Sequence, residues 1–206
     1  MSSNKLNSKI VDTSQCVCIG NREYNARYYF HIKIKPTPQN KGNTAIVILK
    51  NPSSTARANV FYGVPFNKLT DIDATTNNII IQLNGYYERI ITLNLFPYFD
   101  SHPSTLNGIF PIVKTNKGHR YINDISYFIN FKIINHTIKQ NPNANIICAW
   151  GRANSGMYKR LLDTAINHVA SLLNGTPIYE YDGSAVSKIK PYIISNSQYP
   201  LHACRW

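Results

Sequence analysis

Three apolar runs organise the chain, and each ends in an abrupt break. Ile46 to Leu49 is continuous and mostly β-branched, and it breaks at Asn51-Pro52. Arg89 to Phe96 is apolar through its middle, carries Asn94 near its end, and is stopped by Pro97. Asn145 to Trp150 is broken by Gly151. Continuous runs of this length read as strands covered on both faces. Pro52 has no N–H to give a ladder, and it drives Asn51 to an extended conformation.

Helical patterns fall between these runs. Ile79 to Leu83 reads as the apolar face of a helix ending at Asn84-Gly85. Asn123 to Ile138 has helical spacing through Ile125, Phe128, Ile129, Lys132, Ile133 and His136. Met157 to Leu173 is amphipathic and closes at Asn174-Gly175. Pro177 to Tyr181 reads as a fourth strand. Upstream, Gly20-Asn21 is expected to turn a hairpin whose second strand runs from Tyr28 to Ile34. Residues 36–43 form a polar loop, and a second loop runs from Pro97 to about Asn116. Strands alternating with helices imply an α/β protein: a three-layer α/β/α domain around a central, mostly parallel sheet. No repeat or linker divides it, so residues 1–206 are taken as one domain. Residues 1–10 are loose and 10–40 form a β-rich extension.

Composition narrows this further. At 206 residues, with 43% hydrophobic and 12% aromatic content, the chain buries a substantial core. No apolar run approaches a membrane span, and no signal core follows Met1 to Lys5, so a cytoplasmic location is expected. The cysteines are Cys16, Cys18, Cys148 and Cys204. Cys16 and Cys18 are too close for the usual C-x-x-C spacing, and all four are read as reduced structural thiols.

Charge says more. The net charge is +12, from 22 Lys and Arg against 10 Asp and Glu. Residues 1–50 hold eight basic and two acidic groups, 51–110 three and four, and 111–206 eleven and four. The flanks are basic and the middle is neutral, so a polyanionic partner is the physical expectation. There is no Walker loop, no G-x-G-x-x-G and no G-x-S-x-G elbow. The carboxylates are few and scattered. No cofactor and no metal is expected.

Four landmarks follow in order: Lys50-Asn-Pro-Ser-Ser54, Leu93-Asn-Leu-Phe96, Ala149-Trp-Gly151 and Tyr199-Pro-Leu-His202. Together they resemble a family of uncharacterised bacterial proteins known from mobile elements such as staphylococcal cassette chromosomes. They also resemble a divergent uracil-DNA glycosylase. That enzyme family carries Gly-Gln-Asp-Pro-Tyr-His after its first core strand, and its Asp polarises the attacking water. On this chain the resemblance puts Asn51 at the Asp position, keeps Pro52, and sets Ser53 and Ser54 where Tyr and His would be. Asn94 falls where an Asn reads the uracil edge. Tyr62 or Phe66 falls near the base-stacking aromatic. In the final His-Pro-Ser-Pro-Leu motif, Tyr199 takes the His position, followed by Pro200 and Leu201, with His202 out of register. Ser101-His-Pro-Ser104 looks closer to that motif but comes too early, and reads as a turn. Asn51 also suits a plain turn, since Asn-Pro is a common turn dipeptide. Asn94 also suits a structural role, and Trp150 is read as core packing.

The resemblance implies a glycosylase-like fold without the two groups that break the glycosidic bond, a carboxylate and a donor to the departing base. The expected function is therefore binding without excision. The expected partners are DNA and an acidic, DNA-mimicking inhibitor of uracil-DNA glycosylases. They would be gripped through Ser53, Ser54, Tyr199, Pro200, Leu201, His202 and Arg205, around a pocket of Asn51, Pro52, Ser53, Ser54, Phe66 and Asn94. One alternative is a live glycosylase on an unusual base. Another is an unrelated α/β enzyme or nucleotide binder that uses the Asn51 to Thr55 loop on a small phosphate.

Overall fold

The computed structural model describes residues 10–19, 22–34, 36–51, 74–98, 112–118, 120–153, 156–183, 188–194 and 199–206. Its centre is the first apolar run. Strand β3 (Thr44–Leu49) is buried along its whole length. It pairs in parallel with β4 (Arg89–Asn94) on one side and with β7 (Asn145–Cys148) on the other. The three apolar runs are therefore adjacent and parallel, as their continuous hydrophobicity implies. Strand β8 (Ile178–Tyr181) extends the parallel set beyond β7.

Antiparallel strands close both flanks. On the β4 side, β2 (Arg22–Lys33) pairs with β4, and β1 (Ile10–Ile19) pairs with β2. The β-rich extension thus continues the main sheet. Tyr28, Phe30 and Ile32 are all buried, Phe30 and Ile32 in the core cluster with Val47 and Tyr28 in the cluster with Ile46 and Ile48. Ile19 pairs with Arg22, and the Gly20-Asn21 turn lies outside the described residues. On the far side, β9 (Ile189–Pro191) pairs with β8, giving the order β1-β2-β4-β3-β7-β8-β9. A small hairpin, β5 (Ile112–Lys114) and β6 (Arg120–Ile122), stands apart from the main sheet. It begins inside the stretch expected to be loop.

The helices make the outer layers. Helix α1 (Ala74–Leu83) packs Ile79, Ile80 and Leu83 on the face that holds Ala45, Val47 and Leu49. It ends where Gly85 takes a φ of +86°, as Asn84-Gly85 predicts. Helices α2 (Ile125–Gln140) and α3 (Gly156–Leu172) cover the opposite face, over Ile46 and Ile48. The result is the three-layer α/β/α sandwich.

Helix α2 is present, but its buried stripe is not Ile125, Phe128 and Ile129, which are exposed. Tyr127, Asn130 and Ile134 face inward instead. Asp124 caps the helix by accepting from the Tyr127 N–H. Asn130 Nδ2 donates to the Asn94 carbonyl at 2.8 Å, which ties the helix to the end of β4. Satisfying that carbonyl turns the helix away from its most hydrophobic side. Among the described residues, no helix is long and apolar enough to cross a membrane.

Candidate functional site

The strand order sets the site. After β3 the chain builds β4 on one side of it, then returns to build β7 on the other. Such a reversal leaves a crevice beyond the carboxyl ends of the two strands that flank it. A cleft of about 800 Å³ opens there, lined by Lys50 after β3 and by Gly151 and Arg152 after β7. Glu180 and Asp182 from the end of β8 also line it, and Tyr199 to His202 form a wall. That volume suits a small ligand or an inserted side chain.

Lys50 is half-buried beside α3. Its Nζ donates to the Arg152 carbonyl at 3.0 Å and lies 5.7 Å from the centre of the Tyr158 ring. Burial pulls its pKa below the ordinary lysine value, and the nearby Cys204 partly opposes this. Glu180 is nearly buried, and Lys190 lies 3.4 Å from it and 3.5 Å from Asp182. Lys190 thus offsets the acidic wall. Arg152 and Arg205 are exposed at the cleft.

The tail is held in place by named contacts. Tyr199 Oη donates to Asp163 Oδ1 at 2.6 Å, and Lys159 binds the other oxygen of that carboxylate. Burial first, and then Asp163, push the Tyr199 phenol up. Asn78 Nδ2 of α1 donates to the Cys204 carbonyl at 3.0 Å. Trp206 stacks on Tyr181 with centroids 4.8 Å apart. His202 caps a short 3-10 turn (Ala203–Arg205), and its ring packs against Gly151. Gly151 has a φ of +67°, and a Cβ there would stand 2.7 Å from His202 Cβ.

The expected site residues separate. Tyr199, Pro200, Leu201, His202 and Arg205 all line the cleft. Pro200 is buried, and Leu201 is 42% exposed at the rim. Asn51 is half-buried next to Lys50 and does not line the cleft. Asn94 is 1% exposed at the end of β4, paired with Leu49, on the side of β3 away from β7. Trp150 is fully buried and packs edge-on to Tyr192, as a core residue. Pro52, Ser53, Ser54, Tyr62, Phe66 and the stretch 101–104 lie outside the described residues.

Beyond the expected residues, Lys50, Gly151, Arg152, Glu180, Tyr181, Asp182, Lys190 and Cys204 also line the cleft, and three of them bear on its chemistry. Lys50 looks like the polar end of a strand, although a lone cation closing an apolar run is a usable signal. Arg152 follows the Trp-Gly landmark directly. Cys204, expected to be a structural thiol, is exposed and lies 3.0 Å from His202 Nδ1. Among the described residues, no cluster of three or more His, Cys, Asp or Glu is placed to hold a metal.

The Tyr199 contact makes a direct prediction. Tyr199→Phe removes one hydrogen bond to a carboxylate that is partly screened by solvent, and is expected to cost about 1 kcal/mol. Urea denaturation of the variant measures this. An unchanged midpoint would show that the latch contributes nothing.

Comparison with curated proteins found no match, and comparison with solved structures found none. The family model described as "Protein of unknown function (DUF1643)" matches residues 27–202, from within β2 to the cleft wall at His202, and the chain belongs to that family.

Proposed function

We propose that this protein is a glycosylase-like domain that no longer excises bases and holds a polyanion: DNA, or an acidic protein that imitates the DNA backbone. The observation that carries this reading is the cationic cleft at the carboxyl ends of β3 and β7. Among the described residues, Lys50, Arg152, Lys190 and Arg205 line it against Glu180 and Asp182. The overall charge of +12 would draw a polyanion toward the protein, and this cleft offers it a place to dock.

Two features support loss of the chemistry. Breaking a glycosidic bond leaves an oxocarbenium-like sugar, which a carboxylate stabilises, and an anionic base, which a positioned donor stabilises. The resemblance puts Asn51 where the carboxylate belongs, and an amide carries no charge. It puts Tyr199 where the donor belongs, and that hydroxyl is already bonded to Asp163. Losses of this kind cost on the order of 10²–10⁴ each in rate. Leu201 at the rim stands where the resemblance expects a wedge, and an apolar anchor there would seat in a partner's pocket.

The test combines two assays on one preparation. Oligonucleotides containing uracil, hypoxanthine or xanthine are expected to yield no free base. The same oligonucleotides, and an acidic DNA-mimic inhibitor of uracil-DNA glycosylases, are expected to bind in calorimetry. Leu201→Ala should weaken the mimic more than the DNA. Robust base release would refute the loss of chemistry, and no binding of either partner at low salt would refute the polyanion reading.

A further inference from the structure

The cleft also sets a thiol beside a base. Cys204 Sγ lies 3.0 Å from His202 Nδ1. The backbone N–H of Cys204 donates to the same nitrogen at 3.2 Å. A ring nitrogen that accepts a backbone N–H carries no proton of its own, so the neutral His202 holds its proton on Nε2. The single lone pair of Nδ1 is therefore shared between the backbone N–H and the thiol. The ring is seated against Gly151, where only the absence of a Cβ leaves room for it. Cys204 is exposed, and it lines the cleft together with Lys50, Arg152 and Arg205.

The other described free cysteine is a useful contrast. Cys148 is fully buried in β7, and burial pushes its thiol far up. It is therefore inert toward reagents in water. Cys204 has what Cys148 lacks: access, a proton acceptor in contact, and cations around the approach.

We propose that Cys204 is a nucleophilic thiol that forms a mixed disulfide with an anionic low-molecular-weight disulfide seated in the cleft, His202 taking the thiol proton. Sγ attacks one sulfur of the bound disulfide as its proton passes to His202 Nδ1, which gives up the hydrogen bond from the Cys204 N–H as it takes the proton. The new Sγ–S bond forms, and the original S–S bond breaks. The departing thiolate takes the proton back from the imidazolium and leaves as a thiol. Cys204 is oxidised and half of the disulfide is reduced, so no other oxidant is needed. The three cations select an anionic reagent over a neutral one. This inference does not require the polyanion reading, because it is read as a covalent mass on one peptide and not as binding.

The experiment uses the reduced full chain with glutathione disulfide, which is anionic, and in parallel with 2-hydroxyethyl disulfide, which is neutral. Adducts are followed by mass spectrometry of the peptide carrying Cys204. In the folded protein, glutathione disulfide should modify Cys204 at least about tenfold faster than it does in the urea-unfolded chain, a modest share of what a positioned base supplies. His202→Gln should remove about tenfold or more from the rate with both reagents. Arg205→Ala, at an exposed position, should slow glutathione disulfide and spare the neutral reagent. A folded rate no faster than the unfolded one would overturn the proposal, whether or not the His202 variant folds. Equal rates in wild type and folded His202→Gln would remove the base. Equal slowing of both reagents by Arg205→Ala, or none, would remove the anionic preference.

Discussion

Duplex DNA is expected to bind at 50 mM salt and to lose roughly 10³–10⁵ in affinity by 200 mM, if about 6–10 phosphates are contacted. The loss follows from counterion release. Each phosphate neutralised by Lys or Arg frees a condensed cation, and added salt opposes that gain. The cleft supplies Lys50, Arg152 and Arg205, and the remaining contacts must come from the basic flanks. Replacing Arg152 or Arg205 by Ala should lower the salt slope by about one each. Lys50→Ala should cost more. That side chain is half-buried and its charge is disfavoured by burial, so an anion in the cleft gains a cation with few competing waters. Fluorescence anisotropy across a salt series measures all three. A flat response would mean that the +12 charge serves solubility alone.

Gly151→Ala is the second large effect. The substitution puts a side chain into a backbone with a φ of +67°, which costs about 1–2 kcal/mol for a residue with a Cβ. It also drives that Cβ to 2.7 Å from His202 Cβ, so something must move. Overpacking of this kind costs about 1–3 kcal/mol. The expected total is about 2–5 kcal/mol if the tail stays in place. If the tail swings out instead, less stability is lost and the cleft loses its wall. Urea denaturation and DNA titration of the same variant separate the two. A midpoint and an affinity both equal to wild type would show that His202 yields without resistance.

The central sheet was legible because its strands are buried on both faces. Ile46 to Leu49, the Arg89 run and the Asn145 run have no polar alternation to confuse with a helix, and each ends in a break. Strands β5, β6 and β9 were not legible, since three residues are too few to show a period. In α2 the helix was visible but its inward face was not. Hydrophobicity alone favours Ile125, Phe128 and Ile129, whereas Asn130 is turned inward by a carbonyl at the end of β4. The site divides in the same way. Tyr199 to His202 was readable as a motif, and so was Trp150-Gly151. That the glycine exists to admit the histidine ring is a contact between distant segments, which no local pattern carries. Asn94 entered the expected pocket through the resemblance, as the residue that reads the uracil edge. It lies in β4, on the side of β3 away from β7, and is not among the described residues that line the cleft.

The parallel pairing around β3 also fixes the order in which the molecule can be put together. A parallel neighbour cannot be reached through a tight turn, so β3 must wait for distant chain on both sides. The bond from Lys50 to Arg152 closes a loop of 102 residues, and that from Asn78 to Cys204 closes one of 126. Closures of this span are slow, because chain entropy is lost before the contacts repay it. All seven described strands of the sheet are in hand once synthesis passes Pro191, while the wall from Tyr199 to Arg205 is still missing. A nascent chain therefore owns a complete sheet before it owns a site.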